Sequence, residues 1–236
     1  MRGRGSLADL ARPRNGAYRL FGSLFLYPER SDVDGWVELA RELRGSEPLH
    51  SFPFYGRLHS LLDSLAEMRE EDAVRLEEEY VDRFVLSVSH APCPLHESAY
   101  VDRSGRRSGL VAVGVERAYA AAGMALSPAA HGELPDHAAF ELEFLSHLCA
   151  QEALAWEVRR LEVAASLLRS QKQFLDRHLL RWFPGLARRT SLAASGGNFY
   201  GELVGVAHAF VVHDRDLVDL LLEEAGAIAP SIASKT

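Results

Sequence analysis

The amino-acid sequence predicts an all-α protein that folds as a single bundle-like domain of about eight to ten helices. Apolar residues recur every three or four positions along most of the chain, which is the spacing of one helix face. No stretch shows the sustained alternation of a half-buried strand, and no internal repeat is apparent. The 236 residues, 47% of them hydrophobic, suffice for a sizeable core. We therefore expect one domain over residues 1–236, with potential halves at 14–126 and 133–226.

The first half of the chain carries five predicted helices, the last of them over residues 110–124. Gly3, Gly5 and Pro13 disfavour a helix over residues 1–13. An apolar stripe from Tyr18 to Phe25 then predicts the first helix, which ends before Pro28. The next three helices are expected around residues 32–43, 58–65 and 70–85, and the two prolines beside Cys93 exclude regular helix there.

The second half is predicted to hold longer helices. A helix over residues 110–124 leads to Ser127–Gly132, a linker with proline and glycine that is the best candidate hinge. The later helices are expected from near Pro135 to about Glu157, from about Arg159 to Trp182 with a stop at Pro184 and Gly185, and from Phe199 to about Ala225, with a disordered tail after Gly226.

The stretch from Glu133 to Leu148 is the most informative part of the chain. Phe140, Phe144 and Leu148 are spaced to share one face of a helix, with Glu141 and Glu143 directed elsewhere. Pro135 suits the first helical turn, and Asp136 would sit where the helix dipole favours an anion. This places Asp136 and His137 side by side at the start of a buried helix, which makes them the leading functional candidates.

Composition and charge exclude several classes of function. The net charge of −7 and the pI near 5.8 argue against non-specific nucleic-acid binding and suit a partner with a basic segment. The two cysteines fit no metal-binding spacing, and no apolar run reaches the length of a membrane span. Neither a secretory nor a twin-arginine signal is visible. We expect a cytoplasmic protein that is not stably inserted in a membrane.

Three functional hypotheses are compatible with the residues alone. The first is peptide recognition, in which an apolar groove beside Asp136, Glu133 and Glu97 binds a partner's apolar run and arginines. The second is a helical metal-dependent enzyme that uses His131, His137 and Glu141. The third is a generic helical scaffold, in which Asp136 caps its own helix and His137 satisfies a buried carbonyl.

A motif at the start of the central stretch resembles a known signature. The string Glu-x-Pro-Asp-His from Glu133 to His137, followed by Glu141 and Phe144, resembles that of the TorD/DmsD/NarJ-type chaperones. These are cytoplasmic maturation chaperones of molybdenum enzymes in the DMSO reductase family. The remaining matches are Tyr18–Pro28, Glu79 and Tyr80 with Phe84, a middle motif through Pro94, Glu97, Ser98 and Tyr100, and Phe174–Pro184. The Cys-Pro-Leu-His-Glu form of the middle loop departs from the pattern and leaves the client open.

The resemblance implies a chaperone and not an enzyme. Such a protein binds the twin-arginine signal peptide or the apo-form of a molybdenum-cofactor oxidoreductase, assists cofactor insertion and prevents premature export. We expect no catalytic residue, metal or cofactor, and a monomer or a dimer swapped through the Ser127–Gly132 hinge. The expected client-binding residues are Glu133, Pro135, Asp136, His137, Glu141, Tyr80, Phe84, Glu97, Ser98 and Tyr100.

Overall fold

The computed structural model describes residues 7–86, 92–101, 108–127, 133–193 and 198–233. These ranges are predominantly helical and contain no β-strand, so the predicted all-α class is confirmed. The α-helices are α1 (Leu7–Leu24), α2 (Val33–Arg44), α3 (Tyr55–Ala66), α4 (Ala73–Tyr80), α5 (Ser98–Val101), α6 (Ser108–Ala121), α7 (Ala138–Glu157), α8 (Leu161–Phe174), α9 (Leu180–Leu192) and α10 (Phe199–Ala233). Within the same ranges no helix is long and apolar enough to cross a membrane.

Both ends of the chain hold more helix than the sequence predicts. Helix α1 begins at Leu7 and passes through Pro13, because Ala8 and Ala11 are buried against the core and their packing offsets the hydrogen bond that the proline lacks. Helix α10 runs on to Ala233 instead of ending near Ala225. Extending an existing helix is easier than starting one, so its last turns need no new nucleus. The expected disorder after Gly226 is therefore wrong as far as Ala233.

The expected stop at Pro184 is also wrong. Helix α8 continues through a π-helical turn at Leu175–Leu179 directly into α9, which contains Pro184 and ends only at Leu192. The residues around the proline, Trp182, Phe183 and Leu186, are fully buried. Their burial stabilises the helical path across a position that local propensity disfavours.

Helices α1 and α7 pack closely at the centre of the fold. Gly22 of α1 faces α7 so tightly that an added Cβ would lie 3.1 Å from the Ala139 carbonyl oxygen. Tyr18 and Phe21 on the same helix stack edge-on against Phe210 of α10. Helix α7, which carries the central motif, is thereby held between α1, α8 and the rest of the core.

A buried polar cluster joins four of these helices. Arg14 of α1 lies 2.7 Å from Glu152 of α7 and also binds Asp214 of α10 and Gln171 of α8. Each of these side chains is buried, and Tyr18 donates a further hydrogen bond to Asp214. A buried charge is tolerated only when it is paired and hydrogen-bonded, so this cluster requires the four helices to meet in one arrangement.

Candidate functional site

The central motif forms a turn before helix α7. Pro135 and Asp136 lie in this turn, and α7 begins at Ala138, so the expected placement of Pro135 in the first helical turn is wrong. His137 is the N-cap residue, and its Nδ1 accepts a hydrogen bond from the Ala139 N–H at 3.2 Å. Burial lowers the pKa of His137 to about 3, and His96 adds to the shift. The imidazole therefore caps the helix in its neutral form.

The middle motif lies antiparallel to this turn. The Ala138 N–H donates to the Leu95 carbonyl at 2.8 Å, and the Glu97 N–H donates to the Asp136 carbonyl at 2.9 Å. The fully buried Asp136 carboxylate accepts the Ser98 N–H through Oδ2 at 2.9 Å. The two motifs, about forty residues apart in sequence, thus form one joint, and Asp136 caps α5 rather than its own helix.

Glu97 and Glu141 form a buried carboxyl pair beneath this joint. Glu141 is fully buried, because the start of α7 is covered on this side as well, so the expectation that it points elsewhere is wrong. Its Oε2 accepts the Trp182 indole N–H at 3.0 Å. Burial and the nearby Glu97 carboxylate raise the pKa of Glu141 well above its ordinary value. Glu97 remains paired with His178, whose Nδ1 lies 2.8 Å from Glu97 Oε2.

The other candidate residues have mixed exposure. Tyr80 and Phe84 are each 7% exposed and stack edge-on against Tyr200. Tyr100 is half-buried, with the Arg189 guanidinium 5.1 Å from its ring centre. The Pro135 carbonyl accepts a hydrogen bond from the Tyr119 hydroxyl at 2.9 Å, and Glu133 is exposed.

The geometry does not favour the metal hypothesis. His131 lies outside the described residues, and Glu141 is occupied with Trp182 in the interior. A different set, His96, Glu133 and His137, brings potential ligand atoms within 4.8 Å of one another. In His137, however, Nδ1 accepts the Ala139 N–H, so the proton of the neutral ring is on Nε2. Metal binding at Nε2 would move that proton to Nδ1 and break the helix cap.

An open groove of about 680 Å³ lies beside the joint, and we refer to it as the acidic groove. Its floor is apolar and aromatic, and every formally charged residue among its described lining residues is acidic. The acidic residues are Glu29, Asp32, Glu133 and Glu143, and the apolar ones are Leu26, Tyr27, Tyr80, Val85, Tyr119, Met124, Ala125, Leu126, Phe140 and Phe144. Leu26, Tyr27 and Val85 are between 40% and 51% exposed. Exposed large apolar side chains in a concave surface indicate a binding site.

Sequence reasoning found only part of this groove. Tyr80, Glu133 and His137 were among the expected site residues and do line it. Leu26, Tyr27 and Glu29 were missed, although two exposed apolar residues followed by Pro28 after the end of a helix were a usable signal. The proposed hinge falls mostly on residues 128–132, which lie outside the described residues.

The fold and the groove define an all-α protein with an open groove lined by acidic and apolar side chains. A protein-family model described as the nitrate reductase delta subunit matches residues 53–188. The chain belongs to this family, to which the TorD- and NarJ-type chaperones also belong. The match contains all ten candidate site residues.

Three relatives carry the names of chaperones, and one solved structure is similar in fold. The chaperone protein TorD of Vibrio cholerae is 28% identical over 156 residues, which cover 66% of this chain and 68% of that protein. The perchlorate reductase assembly chaperone protein of Dechloromonas aromatica is 32% identical over 144 residues, 61% of each chain. The selenate reductase assembly chaperone protein of Thauera selenatis is 44% identical over 73 residues, 31% of this chain and 37% of that protein. A crystal structure of a proposed redox enzyme maturation protein from Archaeoglobus fulgidus covers 93% of this chain and 96% of its own, with a TM-score of 0.52 and 20% identity, and so shares the fold.

Proposed function

We propose that this protein is a cytoplasmic maturation chaperone that binds the twin-arginine signal peptide of a molybdenum-containing oxidoreductase in the acidic groove. It holds the precursor while the cofactor is inserted and so delays export. The names of the relatives, which are assembly chaperones of selenate and perchlorate reductases, support this class of client. The observation that carries the proposal is the composition of the groove: an apolar floor with four acidic residues and, among the described lining residues, no lysine or arginine.

The groove matches the chemistry of such a peptide. A twin-arginine signal combines adjacent arginines with an apolar run, and each part has a complement here. Exposed carboxylates of Glu29, Glu133 and Glu143 can pair with guanidinium groups, while Tyr27, Met124 and Leu126 can bury apolar side chains. Binding through a partly exposed groove is reversible, as a chaperone that releases its client requires.

Four of the buried candidate residues position the groove and do not contact the client. Asp136, Ser98 and Glu97 hold the turn that places Glu133 and His137 at the groove, and Glu141 anchors the start of α7. Because Asp136 is fully buried, its carboxylate cannot meet an arginine of the client without opening the joint. We assign client contact to Glu133, Tyr80 and His137 among the expected residues.

Calorimetry with a synthetic signal peptide tests the assignment. The triple variant Glu29→Gln, Glu133→Gln, Glu143→Gln should bind about three- to tenfold more weakly at low salt, the scale of exposed ion pairs, and the difference should shrink at high salt. The matched control replaces three exposed glutamates outside the groove, Glu38, Glu116 and Glu224, by glutamine. Equal weakening in both triple variants would mean that only net charge matters and would sink the groove assignment.

A conservative substitution tests whether Asp136 stabilises the turn or contacts the client peptide. Asp136→Asn keeps the shape but replaces a charged acceptor of the Ser98 N–H by a neutral one. We expect about 1 kcal/mol of lost stability, with the affinity for the peptide unchanged. An unchanged melting temperature with clearly weaker peptide binding would show instead that Asp136 contacts the client.

A further inference from the structure

A second groove, which we refer to as the cationic groove, lies between helices α6, α7 and α8. It has a volume of about 740 Å³ and shares only Phe144 with the acidic groove. Its floor is formed by apolar side chains that include Ala118, Leu148 and Phe174. The ionisable residues that line it in the described part of the chain are Arg117, His147, Arg160, Arg177 and His178, and no aspartate or glutamate is among them.

The charge of this groove is opposite to that of the chain. The protein has 33 acidic and 26 basic residues, yet three arginines gather here and none of the groove's described lining residues carries a carboxylate. Arg117, Arg160 and Arg177 are exposed, and within the described ranges their side chains form no ion pair. The cluster therefore gives this groove a local charge opposite in sign to the net charge of −7.

Exposed apolar residues lie along the same groove. Leu154 is 53% exposed, Val158 is 65% exposed and Val163 is 45% exposed, and all three line it. Leu154 and Val158 are one helical turn apart at the end of α7, and Val163 follows at the start of α8. An occupant that complements this surface therefore needs apolar side chains as well as negative charge.

We propose that the cationic groove binds an acidic amphipathic helix of a partner protein. Its walls are helices, and a helical segment with apolar residues at i, i+3, i+4 and i+7 can pack between them. Carboxylates on the flanks of that segment can form bidentate pairs with the three arginines. A small phosphorylated ligand fits less well, because the one lining glycine, Gly114, lies within α6 and supplies no phosphate-binding loop. This site is separate from the groove assigned to the signal peptide and does not depend on that assignment.

Fluorescence anisotropy with three labelled helical peptides of equal length tests the proposal. The first carries leucine at i, i+3, i+4 and i+7 with glutamate on its flanks, the second has lysine in place of glutamate, and the third has serine in place of leucine. The triple variant Arg117→Glu, Arg160→Glu, Arg177→Glu should bind the first peptide at least about tenfold more weakly. Leu154→Ser, an exposed position, should also weaken it, and the serine peptide should bind the wild type poorly.

The control variant carries the same change in net charge at other exposed positions. Arg19, Arg169 and Arg188 are exposed and do not line the groove, and their triple replacement by glutamate should leave the affinity within about twofold. The triple glutamine variant of the acidic groove should likewise bind the first peptide normally, so a failure of one site is distinguishable from a failure of the other.

Several results would overturn the proposal. If the groove and control triple variants weakened binding of the first peptide equally, the effect would come from net charge and not from this groove. Equal binding of the leucine and serine peptides would indicate a site for any polyanion. Sedimentation that shows a wild-type dimer and a monomeric Arg117, Arg160, Arg177 variant would identify a second copy of this chain as the occupant instead.

Discussion

Replacing Glu141 by glutamine should stabilise the protein at neutral pH, and increasingly so as the pH rises. Glu141 is fully buried, and burial together with the Glu97 carboxylate raises its pKa well above the ordinary value of 4.5. The native state therefore keeps a proton that the unfolded chain releases above pH 4.5. In that range the native state binds one more proton than the unfolded state, so the wild type loses stability as the pH rises.

The size of the effect follows from proton linkage. For one proton the slope is about 1.4 kcal/mol per pH unit, as long as the native carboxyl group stays protonated. The wild type should thus lose stability with this slope over the pH interval that separates 4.5 from the raised native pKa of Glu141. Glutamine is neutral throughout, its carbonyl can accept the Trp182 N–H as Glu141 Oε2 does, and its amide can donate toward Glu97. The variant avoids the loss.

Chemical denaturation of wild type and Glu141→Gln at pH 4, 5, 6 and 7 measures this difference. The stability of the variant relative to wild type should rise with pH and favour the variant at pH 7. Glu143→Gln, an exposed substitution on the same helix, reports any general effect of removing a carboxyl group. A difference that stays constant with pH, or a variant that is less stable at pH 7, would show that Glu141 is ionised in the native state and refute the reasoning.

Three further substitutions probe the elements that hold the site. His137→Asn keeps an N-cap residue but removes a group whose pKa of about 3 lies below its ordinary value of 6.5. As the pH falls, the histidine of the unfolded chain gains a proton before that of the native state, so the wild type should lose about 2 kcal/mol more stability than the variant between pH 6.5 and 5. Chemical denaturation at both pH values measures this difference. Arg14→Met leaves two buried carboxylates without their cation and should cost about 3–5 kcal/mol of unfolding free energy, whereas Arg12→Met, at an exposed ion pair, should cost less than about 1 kcal/mol. Phe144→Ala, at a side chain that is 3% exposed, should lower the unfolding free energy by about 3–5 kcal/mol through lost burial and a cavity. Phe140 is half-buried, so Phe140→Ala should lower it clearly less. Similar decreases for the two variants in urea titrations would contradict the difference in burial.

The sequence alone determined the class of fold and the position of most helices. Helical periodicity placed α2 and α3 within a few residues, because each has an apolar stripe that must face the core, and the apolar residues of α7 placed that helix equally well. The motif from Glu133 to His137 indicated the family, and the match over residues 53–188 confirmed it.

Only the tertiary structure decided what the individual site residues do. Local spacing predicted Asp136 at the helix terminus, but the partner of its carboxylate is the Ser98 N–H, a contact between segments about forty residues apart. The burial of Glu141 likewise depends on Trp182, which is distant in sequence and packs on the side of α7 that periodicity predicts to be exposed. Prolines 13 and 184 sit inside helices because buried neighbours outweigh a local preference. Helical periodicity and capping preferences describe one element at a time. Burial, charge pairing and the two grooves depend on how several elements pack together.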